Sequence, residues 1–516
     1  MRNPISLLLI LLTGVCQPAL GAATDPVGTL RSDLDRIFSE TRLAQAQLGV
    51  SVFSLDRSES LYERNPRRLL IPASNNKIIT AAVALIRLGP NYRFETRVLA
   101  DGQIENGTLR GNLIIVGSGD PSNSTRFQAG DAFATFRVWA ARLKEKNIHV
   151  ISGDIIGNDR AFVEPRLGIG WEWNDLSESY AAPVAALQFN DNSLALEISP
   201  GASAGSLAII RASPLEDYLT IRNRIVTQPQ GSPTEILISP GESNETVNLS
   251  GTIPEKAGTV METVSVRHPA LYYLAGLKRV LSQEGINTKD CAVREANGYN
   301  PPAPSLLWIH LSPQLSEIVI PLLKKSQNLY AETLVRALGL NLHGEGSFVK
   351  GKEIVEETLG QMRISAGSYS FADGCGLSRL NLESADSLVR VLRFMHQNQN
   401  FQVYYDALPI AGIDGTLSER MKGTKAENNV HAKTGSMANV SSITGYVKTA
   451  DGEMLAFSIV ANNFLAPRET AESMQDRALA RLANFSRRSQ NRTQHSGVTI
   501  EKKRSESREL ANFSQK

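Results

Sequence analysis

Cysteine is scarce in this sequence. The 516 residues include three cysteines, at positions 16, 291 and 375, and no group of cysteines and histidines has the close spacing of a zinc site. The sequence therefore excludes a disulfide-rich scaffold, and it predicts neither a metal nor another cofactor. Cys291 and Cys375 could form one disulfide in an oxidising compartment, but the sequence leaves their pairing open.

A strong charge excess is also absent, since 54 basic and 52 acidic residues leave a net charge of +2. The surplus lies in residues 485–516, which hold eight basic and three acidic side chains, whereas residues 24–484 carry a charge of −4. A mildly acidic body gives no electrostatic reason to bind nucleic acid, whose phosphates require a basic surface. The terminal stretch is polar and poor in aromatic residues, which predicts a disordered basic tail.

Long hydrophobic runs are missing as well. The apolar run Ile5–Leu12 is far short of the roughly 20 residues that a membrane-spanning helix needs, and no later segment reaches that length. Arg2 precedes this run and small residues follow at 21–23, which is the pattern of a cleavable secretory signal. Cys16 would permit lipidation, but Val15 before it is bulkier than a lipoprotein signal usually has. We therefore expect residues 1–23 to be removed. The mature protein should be periplasmic or extracellular, soluble or loosely attached to wall or membrane, and without a transmembrane anchor.

A chain of this length should form two or three domains. Alternation over residues 49–55, followed by residues 59–63, predicts a β-hairpin, and apolar residues spaced i, i+3, i+4, i+7 from Ile78 predict a helix that stops at Gly89. Residues 92–265 alternate short β-rich runs with turn residues, which predicts mainly β modules. Further helices are predicted over 269–284, 329–338, 384–397 and 469–484, and three strands over 431–435, 441–449 and 453–462.

Three short motifs occur in order along this framework. They are Ser74-Asn75-Asn76-Lys77 at the start of a predicted helix, Ser326-Gln327-Asn328 before another helix, and Lys433-Thr434-Gly435 on a predicted strand. Each has an ordinary explanation alone, because serine is a good helix cap and serine and asparagine are common in loops. Together they form the S-x-x-K, S-x-N and K-T-G set that is typical of class A β-lactamases and penicillin-binding proteins.

These residue types suit nucleophilic catalysis on an acyl group. A serine hydroxyl needs a base to take its proton, and Lys77, three positions after Ser74, would reach that hydroxyl on a helix. Lys77 can act as a base only if its pKa is lowered, for which burial or the charge of Lys433 would serve. Ser326 could pass a proton to the departing amine, and Asn328 could hold Lys77 or the substrate amide.

The K-T-G strand suits recognition of the substrate. Lys433 and the hydroxyls of Thr434 and Ser436 would bind a terminal carboxylate. Gly435 would let the substrate lie close to the strand. Main-chain N–H groups of Ser74 and Ser436 would form an oxyanion hole. The predicted catalytic residues are therefore Ser74, Lys77, Ser326, Asn328 and Lys433.

Beyond these motifs, the chain resembles the S13 peptidases, the low-molecular-weight class C penicillin-binding proteins, from about residue 40 to residue 484. The supporting stretches are Gly119–Pro121, Gly153-Asp154, Trp171–Leu176, Tyr180–Pro183, Asp373-Gly374 with Gly376–Arg379, and Gly412–Leu417. The resemblance implies a mixed α/β (α+β) catalytic domain of the penicillin-recognising transpeptidase and β-lactamase type, made from residues 24–91 and 266–484. In that domain helices flank a central antiparallel sheet, and the first hairpin joins the last three strands. Residues 92–265 would be an insertion of two mainly β domains, which accounts for the 252 positions between Ser74 and Ser326.

Two positions depart from the family pattern. Cys375 stands where the family usually has serine, which puts in doubt any contact that this serine makes near the cleft, because sulfur is a weak hydrogen-bonding partner. Cys375 could be a reactive thiol, and the alternative, which we favour, is a small packed residue. Ser436 stands where threonine usually follows K-T-G, and it keeps the hydroxyl that carboxylate binding requires.

The resemblance implies an exported serine-type D-Ala-D-Ala carboxypeptidase, with or without endopeptidase activity, that acts on peptidoglycan stem peptides and is inhibited by β-lactams. One alternative is a β-lactamase, against which the large insertion argues. Another is a non-catalytic penicillin-binding sensor or wall-binding scaffold, against which the complete motif set argues. We expect the insertion to be structurally separate from catalysis and to shape the cleft or to dock onto the wall. Within it, Asp159 is a candidate to bind a cationic group of the stem peptide, and a turn or capping role is the alternative.

Overall fold

The computed structural model describes residues 25–243, 245–301 and 303–488. The predicted signal, residues 1–23, lies outside these ranges, as does most of the predicted tail. Within them, helices α1 to α10 span Pro26–Phe38, Lys77–Arg87, Ala134–Glu145, Pro269–Gln283, Leu315–Lys324, Asn328–His343, Phe348–Gln361, Ala385–His396, Phe401–Asp406 and Arg468–Ala483. Strands β1 to β19 span Gln47–Ser54, Glu59–Arg64, Glu95–Ala100, Gln103–Glu105, Thr108–Arg110, Leu113–Val116, Val150–Ile151, Ile155–Asn158, Ser193–Ser199, Ile209–Ser213, Thr220–Gln228, Glu235–Pro240, Thr246–Pro254, Val260–Ser265, Val293–Glu295, Ser305–Leu311, His431–Met437, Val440–Lys448 and Met454–Asn462.

A five-stranded antiparallel sheet forms the centre of the molecule. Its strand order is β17-β18-β19-β1-β2, and Val50 in β1 pairs with Ile459 in β19. Residues 47–64 and 431–462 therefore build one sheet, which confirms the predicted union of the first hairpin with the last three strands. Strand β18 is buried from its first residue to its penultimate one, as expected for a strand that is covered on both faces.

Helices cover this sheet on both sides. On one side α1 and α10 pack against it, with Leu34 and Leu479 in a shared apolar cluster. On the other side α2 lies in a larger cluster with α5 to α9. The sequence predicts one apolar face for α2, but its residues Lys77–Leu85 are all buried. Helix α2 is thus surrounded by protein over these residues instead of having one exposed face. It holds Lys77, its first residue, inside the protein. The mixed α/β (α+β) class is confirmed.

The predicted short strands of residues 92–265 form four sheets together with β15 and β16, and residues 92–312 are called the inserted region from this point. Their strand orders are β15-β8-β6-β3-β16, β4-β5-β7, β10-β9-β14 and β11-β13-β12. The region also contains α3, a helix that the β-rich texture of residues 92–265 did not indicate. Phe136 and Trp139 on α3 are buried and form the centre of an aromatic cluster with Phe189 and Tyr273.

Strand pairing crosses the predicted boundary at residue 266. Strand β16 pairs with β3, so that Trp308 lies opposite Val98, and β15 pairs with β8. Helix α4 packs in the apolar core of the inserted region, where Tyr272 is fully buried. The chain therefore returns to the helices beside the central sheet near Ser312 rather than at residue 266. The periodicity of α4 predicts a helix correctly but does not show which core its apolar face joins.

The two cysteines of the described chain are both buried and unpaired. Cys291 belongs to the core of the inserted region, and Cys375 belongs to the core beside the central sheet. None of the helices in the described ranges has the length and hydrophobicity to cross a bilayer.

Candidate active site

Ser74 lies on a short turn that leads directly into α2. Residues Ala73–Asn76 form a 3₁₀ turn, and Ala73 adopts a left-handed conformation with φ of 48°. Side chains three positions apart eclipse one another in a 3₁₀ turn, so Lys77 folds back over Ser74. Lys77 Nζ donates to Ser74 Oγ at 2.9 Å. The S-x-x-K spacing thus brings nucleophile and amine into contact, although through a 3₁₀ turn rather than along one face of an α-helix.

The Lys77 ammonium is fully buried and has three acceptors. Besides Ser74, it donates to Asn328 Oδ1 at 2.7 Å and to the main-chain oxygen of Cys375 at 2.6 Å. Burial lowers the pKa of Lys77, and the nearby acidic groups of Cys375, Asp373 and Glu332 act in the opposite direction. An amine can accept a proton only in its neutral form. Because burial favours the neutral form of Lys77, it equips this residue to act as a base.

The S-x-N motif forms the turn that opens α6. Ser326 has a φ of 59° and lines the cleft beside Ser74. Asn328 is the first residue of α6 and is buried. Its carboxamide accepts from Lys77 and donates through Nδ2 to the main-chain oxygen of Tyr180 at 2.8 Å. Asn328 therefore joins the lysine of α2 to the inserted region.

Lys433 lies on β17 behind the cleft and is fully buried. Its Nζ donates to the main-chain oxygen of Thr434 at 2.7 Å. Burial lowers the pKa of Lys433 well below its usual range, and the charge of Lys77 adds to this effect. For Lys77 the sequence left two causes open, burial and the charge of Lys433, and burial is the one that lowers its pKa.

Two hydroxyls of the same strand face outward. Thr434 Oγ1 donates to Thr416 Oγ1 at 2.7 Å, and Ser436 is exposed and lines the cleft. Gly435 between them is buried. A Cβ at position 435 would lie 2.5 Å from the main-chain oxygen of Pro72 and 3.0 Å from the nitrogen of Asn75. The close approach that requires this glycine is therefore to the turn that carries Ser74, whereas we expected it to be to the substrate.

The segment around Cys375 supports the lysine from behind. Glu332 Oε1 accepts from the nitrogens of Gly374 and Cys375 at 2.7 and 2.9 Å, which fixes the carbonyl that Lys77 contacts. This contact belongs to the main chain, so it does not depend on whether residue 375 is serine or cysteine. The Cys375 side chain is buried, and burial raises the pKa of its thiol.

Glu332, Asp373 and Cys375 lie within 4.8 Å of one another, as metal ligands would. Asp373, however, already accepts from the nitrogens of Gly376 and Ser378, each at 2.6 Å, and Glu332 accepts from two more nitrogens. Burial raises the pKa of both Glu332 and Cys375. N–H donors that already occupy these carboxylates oppose a cation, so this cluster suits a structural role.

The cleft in front of these residues has a volume of about 400 Å³. Its lining brings together Ser74, Ser326, Asn328 and Ser436, and adds Glu172, Asp175, Tyr180 and Arg379. The four added residues were not predicted as site residues. They fall in the stretches Trp171–Leu176, Tyr180–Pro183 and Gly376–Arg379, so the resemblance contained a signal that residue-type reasoning did not use.

The inserted region is part of this site. Besides lining the cleft, it accepts the Asn328 hydrogen bond through Tyr180, and the Trp171 indole donates to Asp373 at 2.9 Å. The insertion therefore shapes the cleft, as expected, and it also contacts Asn328 and Asp373. Its separation from catalysis itself stays a prediction. Main-chain acceptors such as Tyr180 have no signature in the sequence, which is why motif positions alone did not reveal this connection.

Asp159 is not brought to the cleft. Its carboxylate is buried, pairs with Arg166, and accepts from the nitrogens of Ala186 and Leu187, the latter at 2.9 Å. Burial raises its pKa to about 6, against the opposing charge of Arg166. These contacts correspond to the structural alternative for Asp159, and the acidic residues of the cleft are Glu172 and Asp175.

Comparisons with known proteins agree with this geometry. The family model described as the D-Ala-D-Ala carboxypeptidase 3 (S13) family matches residues 30–484. A D-alanyl-D-alanine carboxypeptidase from Actinomadura sp. is 33% identical over 93% of this chain and 89% of its own length. D-alanyl-D-alanine carboxypeptidase DacB from Haemophilus influenzae is 29% identical over 81% of this chain and 86% of its own. The crystal structure of penicillin binding protein 4 (dacB) from H. influenzae superposes with a TM-score of 0.78 at 26% identity, covering 88% of this chain and all of that one.

Proposed function

The chain belongs to the D-Ala-D-Ala carboxypeptidase 3 (S13) family, and we propose that it hydrolyses peptidoglycan stem peptides through an acyl-enzyme on Ser74. It is a serine-type D-Ala-D-Ala carboxypeptidase, in line with relatives at 29 and 33% identity over most of their length. The observation that carries the assignment of the nucleophile is the position of Lys77 Nζ, 2.9 Å from Ser74 Oγ and 2.7 Å from Asn328 Oδ1. We propose export as well, on the basis of the N-terminal signal pattern.

In the proposed acylation, Ser74 Oγ attacks the carbonyl of the penultimate D-Ala while Lys77 takes the hydroxyl proton. Main-chain N–H groups of Ser74 and Ser436 would stabilise the oxyanion of the tetrahedral intermediate. As this intermediate collapses, the peptide bond breaks and a proton passes through Ser326 to the departing D-Ala amine. Water then attacks the ester, which releases the shortened peptide and restores the Ser74 hydroxyl.

The terminal carboxylate of the substrate would be held at the K-T-G strand. The hydroxyls of Thr434 and Ser436 can donate to it directly, and Lys433 lies behind them. Because burial lowers the pKa of Lys433, an incoming carboxylate would favour its protonated form, so binding and proton uptake are coupled. Gly435 keeps this strand against the Ser74 turn.

The remaining cleft residues suit a charged side chain in the stem peptide. Glu172 and Asp175 offer carboxylates, and Arg379 offers a guanidinium in the same cleft. Tyr180 donates to Asp175 Oδ1 at 2.9 Å, which fixes that carboxylate. We propose that these groups recognise a stem-peptide residue carrying both an amine and a carboxylate. Glu172 and Asp175 would then bind the cationic group for which Asp159 was a candidate.

A fluorescent penicillin, followed by gel electrophoresis, tests the function. A peptidase that deacylates slowly gives a lasting band, a β-lactamase gives a fleeting one, and a non-catalytic scaffold gives none. We expect a lasting band, together with release of D-alanine from a peptide ending in D-Ala-D-Ala. β-Lactams are known ligands of a similar protein, since H. influenzae penicillin binding protein 4 has been crystallised with one.

Ser74→Ala tests the nucleophile. We expect this variant to lose the band and the D-alanine release while keeping the circular dichroism spectrum of the wild type. Ser347→Ala is the matched control, because Ser347 also lies at a helix start, where it caps α7, and it is remote from the motifs. Loss of the Ser347 cap should cost about 1 kcal/mol of stability, whereas the Ser74 side chain caps neither its turn nor α2. Labelling of a folded Ser74→Ala protein would place the nucleophile elsewhere.

A further inference from the structure

An unusual turn in the inserted region faces the S-x-N motif. Asn190, Asp191 and Asn192 have φ values of 48°, 55° and 51°, which places three consecutive non-glycine residues in the left-handed region. Residues other than glycine visit this region as single positions, and asparagine and aspartate do so most readily. The surrounding contacts must therefore hold the turn. Asn192 Nδ2 donates to the main-chain oxygen of Pro183 at 2.9 Å, and Asn190 Nδ2 donates to that of Ser193 at 3.0 Å.

This turn presents the carboxylate of Asp191 to α6. The Asp191 side chain is only 14% exposed. It accepts from Gln327 Nε2 at 3.0 Å and from the Tyr330 hydroxyl at 2.9 Å, and Arg126 Nε donates to it at 2.6 Å. Gln327 is the middle residue of the S-x-N motif, and Tyr330 lies in the first turn of α6. One carboxylate thus holds residues on both sides of Asn328.

The turn that Asp191 contacts also has a constrained backbone. Ser326, directly before Gln327, also has a left-handed backbone with φ of 59°. A non-glycine residue keeps this conformation only where the surrounding contacts fix it. Hydrogen bonds to a carboxylate are stronger than those between neutral groups, so Asp191 is well suited to fix the turn that aims Ser326 at the cleft.

We propose that Asp191 is a positioning residue for acylation, which holds the S-x-N turn so that Ser326 and Asn328 meet Ser74 and Lys77. This inference rests on the proposed function, in which those four residues carry the chemistry. Asp191 contacts none of the reacting atoms and acts through Gln327 and Tyr330. The inserted region therefore contributes to the rate of the reaction as well as to the shape of the cleft.

Asp191→Asn tests the proposal, because it keeps the size of the side chain and removes its charge. The assay is the rate of acylation by a fluorescent penicillin at increasing concentrations, which separates the dissociation constant of the first complex from the acylation rate constant. We expect the acylation rate constant to fall by about 10- to 100-fold, the scale of a displacement near 1 Å in a catalytic group, and the dissociation constant to stay unchanged. Asp154→Asn is the matched control, since Asp154 pairs with Arg294 at 2.7 Å in the same region without touching the motif.

A double-mutant cycle with Gln327→Ala distinguishes positioning from general loss of stability. If Asp191 acts through Gln327, then Gln327→Ala alone slows acylation, and the double variant is less impaired than the product of the single effects predicts. A folded Asp191→Asn protein with the wild-type rate constant would overturn the proposal. Should Asp191→Asn fail to fold, the double variant Gln327→Ala with Tyr330→Phe removes both contacts of Asp191 to this segment, and a wild-type rate in that variant overturns the proposal. Failure of the proposed function would give a different result: the wild-type protein would not be acylated by penicillin, or the Ser74→Ala variant would be acylated.

Discussion

Replacing Gly435 by alanine should separate the K-T-G strand from the nucleophile. The added Cβ would lie 2.4 Å from Ser442 Oγ, 2.5 Å from the oxygen of Pro72 and 3.0 Å from the nitrogen of Asn75. The Ser442 hydroxyl cannot simply rotate away, because it donates to the same Pro72 oxygen at 2.6 Å. The two main-chain atoms belong to the turn of Ser74, so relief of the clash requires movement of that turn or of β17.

The size of the movement follows from these distances. The optimal separation of non-bonded heavy atoms is about 3.5 Å. The strand and the turn must therefore move apart by roughly 1 Å at the Pro72 oxygen. A displacement of that size in a catalytic group costs about 100-fold in rate. The accompanying loss of stability should be about 1–3 kcal/mol, as for other overpacked sites.

The assay is the second-order rate of penicillin acylation, with the melting temperature measured in parallel. Gly360→Ala is the control, because position 360 lies on α7 and a Cβ there meets no atom within 4 Å. We expect that control to keep the wild-type acylation rate and to be stabilised by about 0.5–1 kcal/mol. A folded Gly435→Ala protein that is acylated at the wild-type rate would refute the claim that this glycine fixes the distance between strand and nucleophile.

Two further predictions concern buried ionisable groups. Lys433→Ala should lose discrimination against peptides with an amidated C-terminus, measured as the ratio of kcat/KM for free and amidated substrates, and an unchanged ratio would remove Lys433 from carboxylate recognition. Glu383 is 1% exposed, and its carboxylate has no hydrogen-bond partner among the described residues, so burial raises its pKa well above the usual range. Its contribution to stability is then greatest below the unfolded pKa of about 4.3 and is lost as the pH rises through the folded value. Glu383→Gln should therefore melt increasingly above the wild type as the pH rises from about 4.3, and a difference in melting temperature that does not change with pH would contradict this.

The motif residues show what sequence can predict. Ser74 and Lys77 lie three positions apart, so local geometry alone brings them together, and the apolar pattern after them predicts the helix that buries the lysine. Strand alternation likewise predicts β17 to β19 and the hairpin that joins them. These features depend on short-range spacing, which the sequence displays directly.

Other features depend on contacts that leave no pattern in the sequence. The acceptors of Lys77 and Asn328 at Cys375 and Tyr180 are main-chain oxygens, which every residue type possesses. Helix α4 was predicted as a helix, but the core that it joins depends on the pairing of β16 with β3, about 200 positions apart in sequence. Asp159 and Asp191 both lie in the inserted region, and no local signal distinguishes the one that pairs internally from the one that reaches α6.

The central claim is that Ser74 becomes acylated, and mass spectrometry after a brief reaction with penicillin tests it most directly. We predict that the protein gains the mass of one penicillin, because the β-lactam ring opens without a leaving group. Proteolysis should then locate the adduct on the peptide that contains Ser74, and a peptide ending in D-Ala-D-Ala should slow its formation. An adduct on Ser326 or Ser436, or the absence of any adduct on a folded protein, would contradict the account.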